Sequence, residues 1–170
     1  MGHAVLVRRL AADDLPALQA LRREALRLHP ESFASSEADD FIVNATRAGP
    51  WLAPEGEQPV FGAWNGPQLL GMAGLYRHTG PKFRHKLQLW GMYVSPRARK
   101  RGVASQLLAA VVEEARRWPD ALLLNLCVNA LSSDACMLYR KAGFVEWGLE
   151  PGGFRHAGEL INDRHMTLRL

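Results

Sequence analysis

Arg99-Lys100-Arg101-Gly102-Val103-Ala104 falls between the end of one apolar stretch and the start of another with helical spacing. The first turn of a helix carries unpaired backbone N–H groups and the positive end of the helix dipole, so it binds phosphate where no bulky side chain blocks approach. Gly102 and Ala104 keep that approach open, and Arg99, Lys100 and Arg101 add charge where a pyrophosphate would sit. The segment matches neither G-x-G-x-x-G nor G-x-x-x-x-G-K-[ST], which argues against a dinucleotide or a nucleoside triphosphate. A solvated basic turn at an ordinary helix start is the plainer reading, and the segment alone does not separate the two.

The formal net charge is only +4, but the basic residues are bunched: Arg97 to Arg101 reads RARKR and His78 to Lys86 reads HTGPKFRHK. Such patches attract polyanions, whether nucleic acid or the phosphates of a nucleotide cofactor. Interleaved aromatics and a nucleic-acid-binding module are both missing, so no nucleic-acid partner is expected. The two cysteines, Cys127 and Cys136, lack C-x-x-C or Cys/His spacing and read as core thiols. None of the six histidines pairs with another at i, i+4 on a helix, so no metal is expected.

The elements that position the basic turn follow from periodicity. With 170 residues and 48% hydrophobic content, the chain fits one domain over residues 1–170. Met1 to Leu10 shows no signal peptide, and the longest apolar run, Ala121 to Val128, is far short of the roughly 20 residues that cross a bilayer. A cytoplasmic protein without membrane contact is expected. Ala4 to Arg9 reads as a strand. Asp13 or Asp14 then caps a helix with Leu18, Leu21, Ala25 and Leu28 inward, ending before His29-Pro30. Ser35-Ser36 caps a second, shorter helix carrying Phe41, Ile42 and Ala45.

Pro59 to Trp64 and Leu69 to Tyr76 flank Asn65-Gly66 as a hairpin. Leu87 to Val94 is the next strand, where Gly91 marks a bulge or makes room for a neighbour. A helix over Val103 to Trp118 turns Val103, Leu107, Val111 and Ala115 inward, and Ala121 to Val128 follows as a strand buried on both faces. These three make a β-α-β unit with parallel strands. Ser132 or Ser133 caps a last helix with Ala135, Leu138 and Ala142 inward, closed by Gly143. Phe144 to Leu149 and Leu160 to Leu170 are strands around a glycine-rich loop, Pro151 to Gly158.

The succession VSPRARKRGVASQLL, ALLLNLCV and A-x-x-L-Y-x-K-x-G-F (Ala135, Leu138, Tyr139, Lys141, Gly143, Phe144) resembles the Gcn5-related N-acetyltransferase (GNAT) superfamily over nearly the whole chain. Arg99, Gly102 and Ala104 match its (Gln/Arg)-x-x-Gly-x-(Gly/Ala) pyrophosphate motif. The resemblance implies an α/β (α+β) fold: a mixed, mostly antiparallel sheet of about seven strands, a central parallel β-α-β acyl-CoA-binding unit and about four flanking helices. It also implies acetyl-CoA as the acyl donor, transferred directly to a primary amine of a small molecule, peptide or protein. Pantetheine would pair with the backbone of Met92, Tyr93 and Val94, whose N–H groups would also stabilise the oxyanion. The N–H groups from Arg101 through Gly102, Val103 and Ala104 to Ser105 would hold the pyrophosphate, beside the charge of Lys100. Tyr139 would protonate the departing thiolate. A homodimer is a possible state.

Two positions depart from the family pattern. Ser132 stands where many relatives have asparagine, with Asn129 a little earlier, as the contact to the pantetheine arm. The strand Leu87 to Val94 has no carboxylate to deprotonate the acceptor. Gln88, His78, His85 and Glu37 are the candidate bases, and Glu37, Asp39 and Asp40 could attract a cationic amine. Trp51, Trp64, Trp90 and Trp147 could line its pocket. The missing carboxylate also motivates a second reading, a non-catalytic acyl-CoA sensor on the same fold.

Overall fold

In the computed structural model, which describes residues 4–170, strand β1 (Leu6–Arg9) leads into helix α1 (Leu15–Leu28) and a single-turn helix α2 (Ala45–Ala48). Strands β2 (Val60–Asn65), β3 (Gln68–Arg77) and β4 (Lys86–Val94) follow as a meander. Helix α3 (Val103–Arg117) crosses to β5 (Leu123–Asn129), and helix α4 (Ser133–Lys141) leads to the closing hairpin of β6 (Val145–His156) and β7 (Glu159–Arg169). All seven strands form one sheet in the order β1-β2-β3-β4-β5-β7-β6, antiparallel at every junction except β4 with β5. The mixed, mostly antiparallel sheet and its parallel β-α-β unit are those expected. The reading of Met1 to His3 as lacking a signal sequence lies outside the described residues.

The sheet's two faces carry separate cores. On one, Val103, Leu107, Val111 and Ala115 of α3 pack with Leu87, Leu89, Leu124, Leu126 and Tyr139. On the other, Leu18, Leu21 and Ala25 of α1 pack with Ile42, Met72 and Tyr93. Asp14 is the N-cap residue of α1 and Pro16 lies in its first turn, where a missing N–H costs nothing. Among the described residues, no helix is long and apolar enough to cross a membrane.

Several local expectations are corrected. No helix begins at Ser35-Ser36: the Ser36 N–H and hydroxyl both donate to Asp39 Oδ1, at 2.7 and 2.6 Å, which makes a turn, and α2 is capped instead by Asn44. The residues flanking the hairpin turn shift by one, because Asn65 pairs with Gln68 and only Gly66 and Pro67 turn. Residues Pro151 to Gly158 are not a loop; β6 runs through them with an irregular register, and the turn is Ala157–Gly158. Leu28 and Ala142 face solvent rather than the core, and Cys136 and Tyr139 are the buried side chains of α4. Strand β5 is buried on one face only. Leu124 and Leu126 point into the α3 core, while Cys127 alternates to the opposite face and is exposed, so of the two cysteines only Cys136 is a core thiol.

The segment between α1 and α2 is fastened by a buried ion pair. Arg22 Nε and Nη2 donate to Asp40 Oδ2 at 3.0 and 2.9 Å, and Ser35 Oγ donates to the same oxygen at 2.6 Å. The Asp40 carboxylate is fully buried and also accepts the Ile42 and Val43 N–H groups. Burial alone would push the Asp40 carboxyl up, but hydrogen bonds from Arg22 and Ser35 outweigh it and hold it below its ordinary value. Since the folded value lies below the unfolded one, the stability it contributes is complete above the unfolded pKa and is lost as pH falls through the folded one. Arg22→Ala strands the buried carboxylate and is expected to cost about 3–5 kcal/mol in urea unfolding near neutral pH, with a smaller deficit in acid.

Candidate active site

β4 and β5 are paired at only three positions, Lys86–Leu123, Leu87–Leu124 and Gln88–Asn125. Beyond them the strands part, because β4 bulges. Met72 of β3 faces Tyr93 and Gly74 faces Trp90, so β4 spends one residue more than β3 over that interval. Gly91 supplies the bulge with φ of +63°, a conformation other residues rarely adopt. On the β3 side the Ser95 N–H donates to Leu70 O at 2.8 Å. By strand alternation, the N–H and C=O of Val94 then turn to the other edge, into the gap facing β5. Arg99 Nε takes the Val94 C=O, so the Val94 N–H is the group left without a strand partner there, and an amide-containing chain fits such an edge by adding as a strand.

Above the gap, the chain tightens through Lys100 (φ +60°) and Gly102 (φ +76°) before α3 begins. The first bond of α3 is Gln106 N–H to Gly102 O at 3.0 Å. The N–H groups of Val103, Ala104 and Ser105 therefore have no intrahelical acceptor, and no side chain caps them. Gly102 and Ser105 are exposed, so a pyrophosphate could reach these donors at the positive end of the helix. Lys100 and Arg101 are exposed beside them. Arg99 is not available in the same way: its Nε donates to Val94 O at 3.0 Å and its Nη2 lies 2.8 Å from His29 Nε2, so the guanidinium braces the end of β4.

The remaining site residues expected from sequence divide clearly. The Tyr93 phenol donates to Glu24 at 3.0 Å, and burial together with that carboxylate pushes it up to about 12, which leaves only its backbone for a ligand. Asn129 donates to Glu31 O and accepts from Leu131 N–H, both at 2.9 Å, so its amide is occupied inside the fold. Ser132 is the N-cap residue of α4 but makes no side-chain cap. Met92 lies on β4 beside the bulge, half-buried against the α3 core. Tyr139 is buried at 6% exposure with its ring edge-on to Phe144, and its hydroxyl takes no partner among the described residues. Burial pushes the phenol well up, so it stays protonated as a hydrogen-bond donor.

The α1 face of the sheet carries an aromatic hollow. Phe41, Trp51, Tyr76 and Trp90 line an open hollow of about 500 Å³. Trp51 and Trp90 are thus pocket residues, whereas Trp64 packs under Arg8 and Trp147 lies exposed on β6. Of the candidate bases, Glu37 is bound to Arg27 at 2.6 Å and His85 lies at the far end of β4. His78 lines the hollow, and Gln88 makes only a long 3.5 Å contact to Leu89 O. Asp40 is consumed by Arg22, and Asp39 by Ser36. The sequence reading missed a constellation on the same face: Cys127 Sγ is 3.1 Å from His165 Nδ1, and His165 Nε2 is 2.8 Å from Glu150 Oε2. Register alone brings them together, since Cys127 pairs with His165 across β5 and β7 while β6 carries Glu150 alongside.

The acetyltransferase (GNAT) family model matches residues 18–144, and the chain belongs to that family. Its reaction is acetyl transfer from acetyl-CoA. Solved structures agree in fold. A ribosomal-protein-alanine N-acetyltransferase from Brucella melitensis is 28% identical with a TM-score of 0.81, covering 97% of this chain and 99% of that one. A Gcn5-related N-acetyltransferase from Kribbella flavida is 25% identical at 0.83, covering 98% of each. The protein yncA from Salmonella typhimurium, solved with its cofactor acetyl-CoA, is 18% identical at 0.82 over 98% of this chain and 94% of that one. No curated protein matches the sequence significantly. Gly102→Val puts a β-branched side chain at φ +76° beside the unpaired N–H groups. Acetyl-CoA binding by calorimetry is expected to weaken at least about tenfold, equivalent to about 1.4 kcal/mol.

Proposed function

We propose that residues 1–170 act as one catalytic domain that transfers the acetyl group of acetyl-CoA directly to a primary amine. The observation that supports this most is the parting of β4 from β5, which leaves the Val94 N–H without a strand partner a few residues before the uncapped N-terminus of α3. Bound acetyl-CoA supplies an activated thioester there. The backbone of Met92 to Val94 would hold its pantetheine arm, and the N–H groups of Val103 to Ser105, with Lys100 and Arg101, its pyrophosphate. Tyr139 approaches from the α3 face of the sheet, and the aromatic hollow lies on the α1 face. Donor sulfur and acceptor nitrogen would therefore be served from opposite faces of the sheet. The Phe41, Trp51, Tyr76 and Trp90 lining suits an amine carrying an apolar or aromatic group, on which a cation also gains by lying over the rings. Two chemically distinct acceptors fit that description, a small aromatic amine and the amine of a protein or peptide alanine, the Brucella relative being a ribosomal-protein-alanine N-acetyltransferase.

Thiol release from acetyl-CoA, measured across a panel of both kinds, tests the assignment. Tyr139→Phe is expected to lower kcat by about 10²-fold with unchanged acetyl-CoA affinity. Unchanged turnover would remove the tyrosine from the chemistry. A wild type that binds acetyl-CoA and acetylates no amine would overturn the assignment as a whole.

A further inference from the structure

We propose that His165, oriented by Glu150, is the group that takes the proton from the acceptor ammonium, supplying the base that β4 lacks. This rests on the acetyl-transfer reading above and adds the residue that makes the amine nucleophilic. Four observations carry it. Cys127 lies two residues past the last β4–β5 pair, on the same strand face as Asn125, so its side chain borders the gap where thioester and amine must meet. His165 Nδ1 is 3.1 Å from that thiol, which sets the imidazole at the same border. Its other nitrogen is 2.8 Å from the Glu150 carboxylate, which accepts and cannot donate when ionised. Nε2 therefore carries the ring proton, and Nδ1 is left with a lone pair facing the Cys127 thiol at the border of the gap. The imidazole is partly open to solvent, at 22% side-chain exposure, and is flanked by the Trp147 ring at 5.1 Å.

Cys127 is not the nucleophile in this arrangement. Although the residue is exposed overall, desolvation of the sulfur by its neighbours, then the charges of Asp163 and Glu150, push its thiol up to about 11, so it is protonated and can donate to Nδ1. The thiol holds the imidazole in place until an acceptor nitrogen takes its position. The groups facing His165 are Cys127 from β5, Glu150 from β6 and Asp163 from its own strand, with Tyr76 of β3 near the thiol. Two of the four are acidic carboxyls, which favour a cationic acceptor.

The acceptor arrives as an ammonium; one N–H bond breaks, its proton passes to His165 Nδ1, and the nitrogen lone pair is freed. That pair forms the new N–C bond at the acetyl carbon while the C–S bond breaks and sulfur keeps its electrons. The second proton lost by nitrogen replaces the one that Tyr139 gives to sulfur, and the imidazolium releases its proton to solvent.

The test uses the full-length protein, acetyl-CoA, and two acceptors, 2-phenylethylamine and an alanine-first peptide. His165→Gln is expected to lower kcat about 100-fold near neutral pH with acetyl-CoA Kd unchanged, and the deficit is expected to shrink as pH approaches the pKa of the amine, where no base is needed. Glu150 is 54% exposed, so Glu150→Gln is a second variant that keeps the fold. Imidazole ¹⁵N spectra, which need no turnover, should show His165 as the Nε2–H tautomer in the wild type and a shifted tautomer population in Glu150→Gln. Turnover in His165→Gln with wild-type rate and pH profile overturns the proposal while leaving acetyl transfer intact, as does an Nδ1–H tautomer in the wild type. A wild type that binds acetyl-CoA but turns over neither amine defeats the acetyl-transfer reading, and this proposal with it.

Discussion

The short parallel pairing of β4 with β5 governs the rest of the molecule. Three residue pairs hold the strands at one end, and the Gly91 bulge then turns β4 away from β5. In a fold stabilised by sheet hydrogen bonds, leaving a central edge unpaired is costly unless a ligand completes it. Around that divergence Tyr139 lies on the α3 side of the sheet, and Cys127 with His165 on the other.

The neighbouring structure keeps that gap from closing or collapsing. Arg99 braces Val94 O, which fixes the end of β4 just before the phosphate loop. Glu24 of α1 holds both the Tyr93 phenol and Arg97, at 3.0 Å each, so the first helix is tied to the strand and to the loop beyond it. Glu24 itself sits below its ordinary value, because contacts to Ser95, Arg97 and Tyr93 outweigh the effect of burial. The buried Arg22–Asp40 pair locks the segment bearing Phe41 against α1, and so sets one wall of the acceptor hollow. Such a pair adds little net energy over an apolar substitute, but once built it penalises any other placement of the segment.

The bulge and the helix start were legible in sequence because they are local. Gly91 and Arg101-Gly102-Val103-Ala104 are short signals whose physics is that of a bulge and a helix start. Other parts depend on partners that sequence spacing does not reveal. Ser36 resembles a helix cap, yet its bonds to Asp39 close a turn, which a propensity argument does not distinguish. The apolar run around Leu124 and Leu126 reads as doubly buried, but the face bearing Cys127 opens onto the gap and leaves the thiol exposed. Cys127, Glu150 and His165 are brought together only by the β5-β7-β6 register, and the second half of β6, from Pro151, reads as a glycine-rich loop between two shorter strands. The strand most expected to carry a base holds none, and the base proposed for that role lies two strands away.

We propose that the β4 edge in the gap is a binding edge, completed by the pantetheine arm as an added strand. Residue-resolved amide hydrogen exchange with and without saturating acetyl-CoA addresses it directly. The Val94 amide should exchange readily in the free protein and become strongly protected on binding, with the Val103 to Ser105 amides following it and Leu87, already paired with β5, unchanged. Protection of Val103 to Ser105 without any change at Val94 would show that acetyl-CoA binds the helix start alone, and would contradict the account.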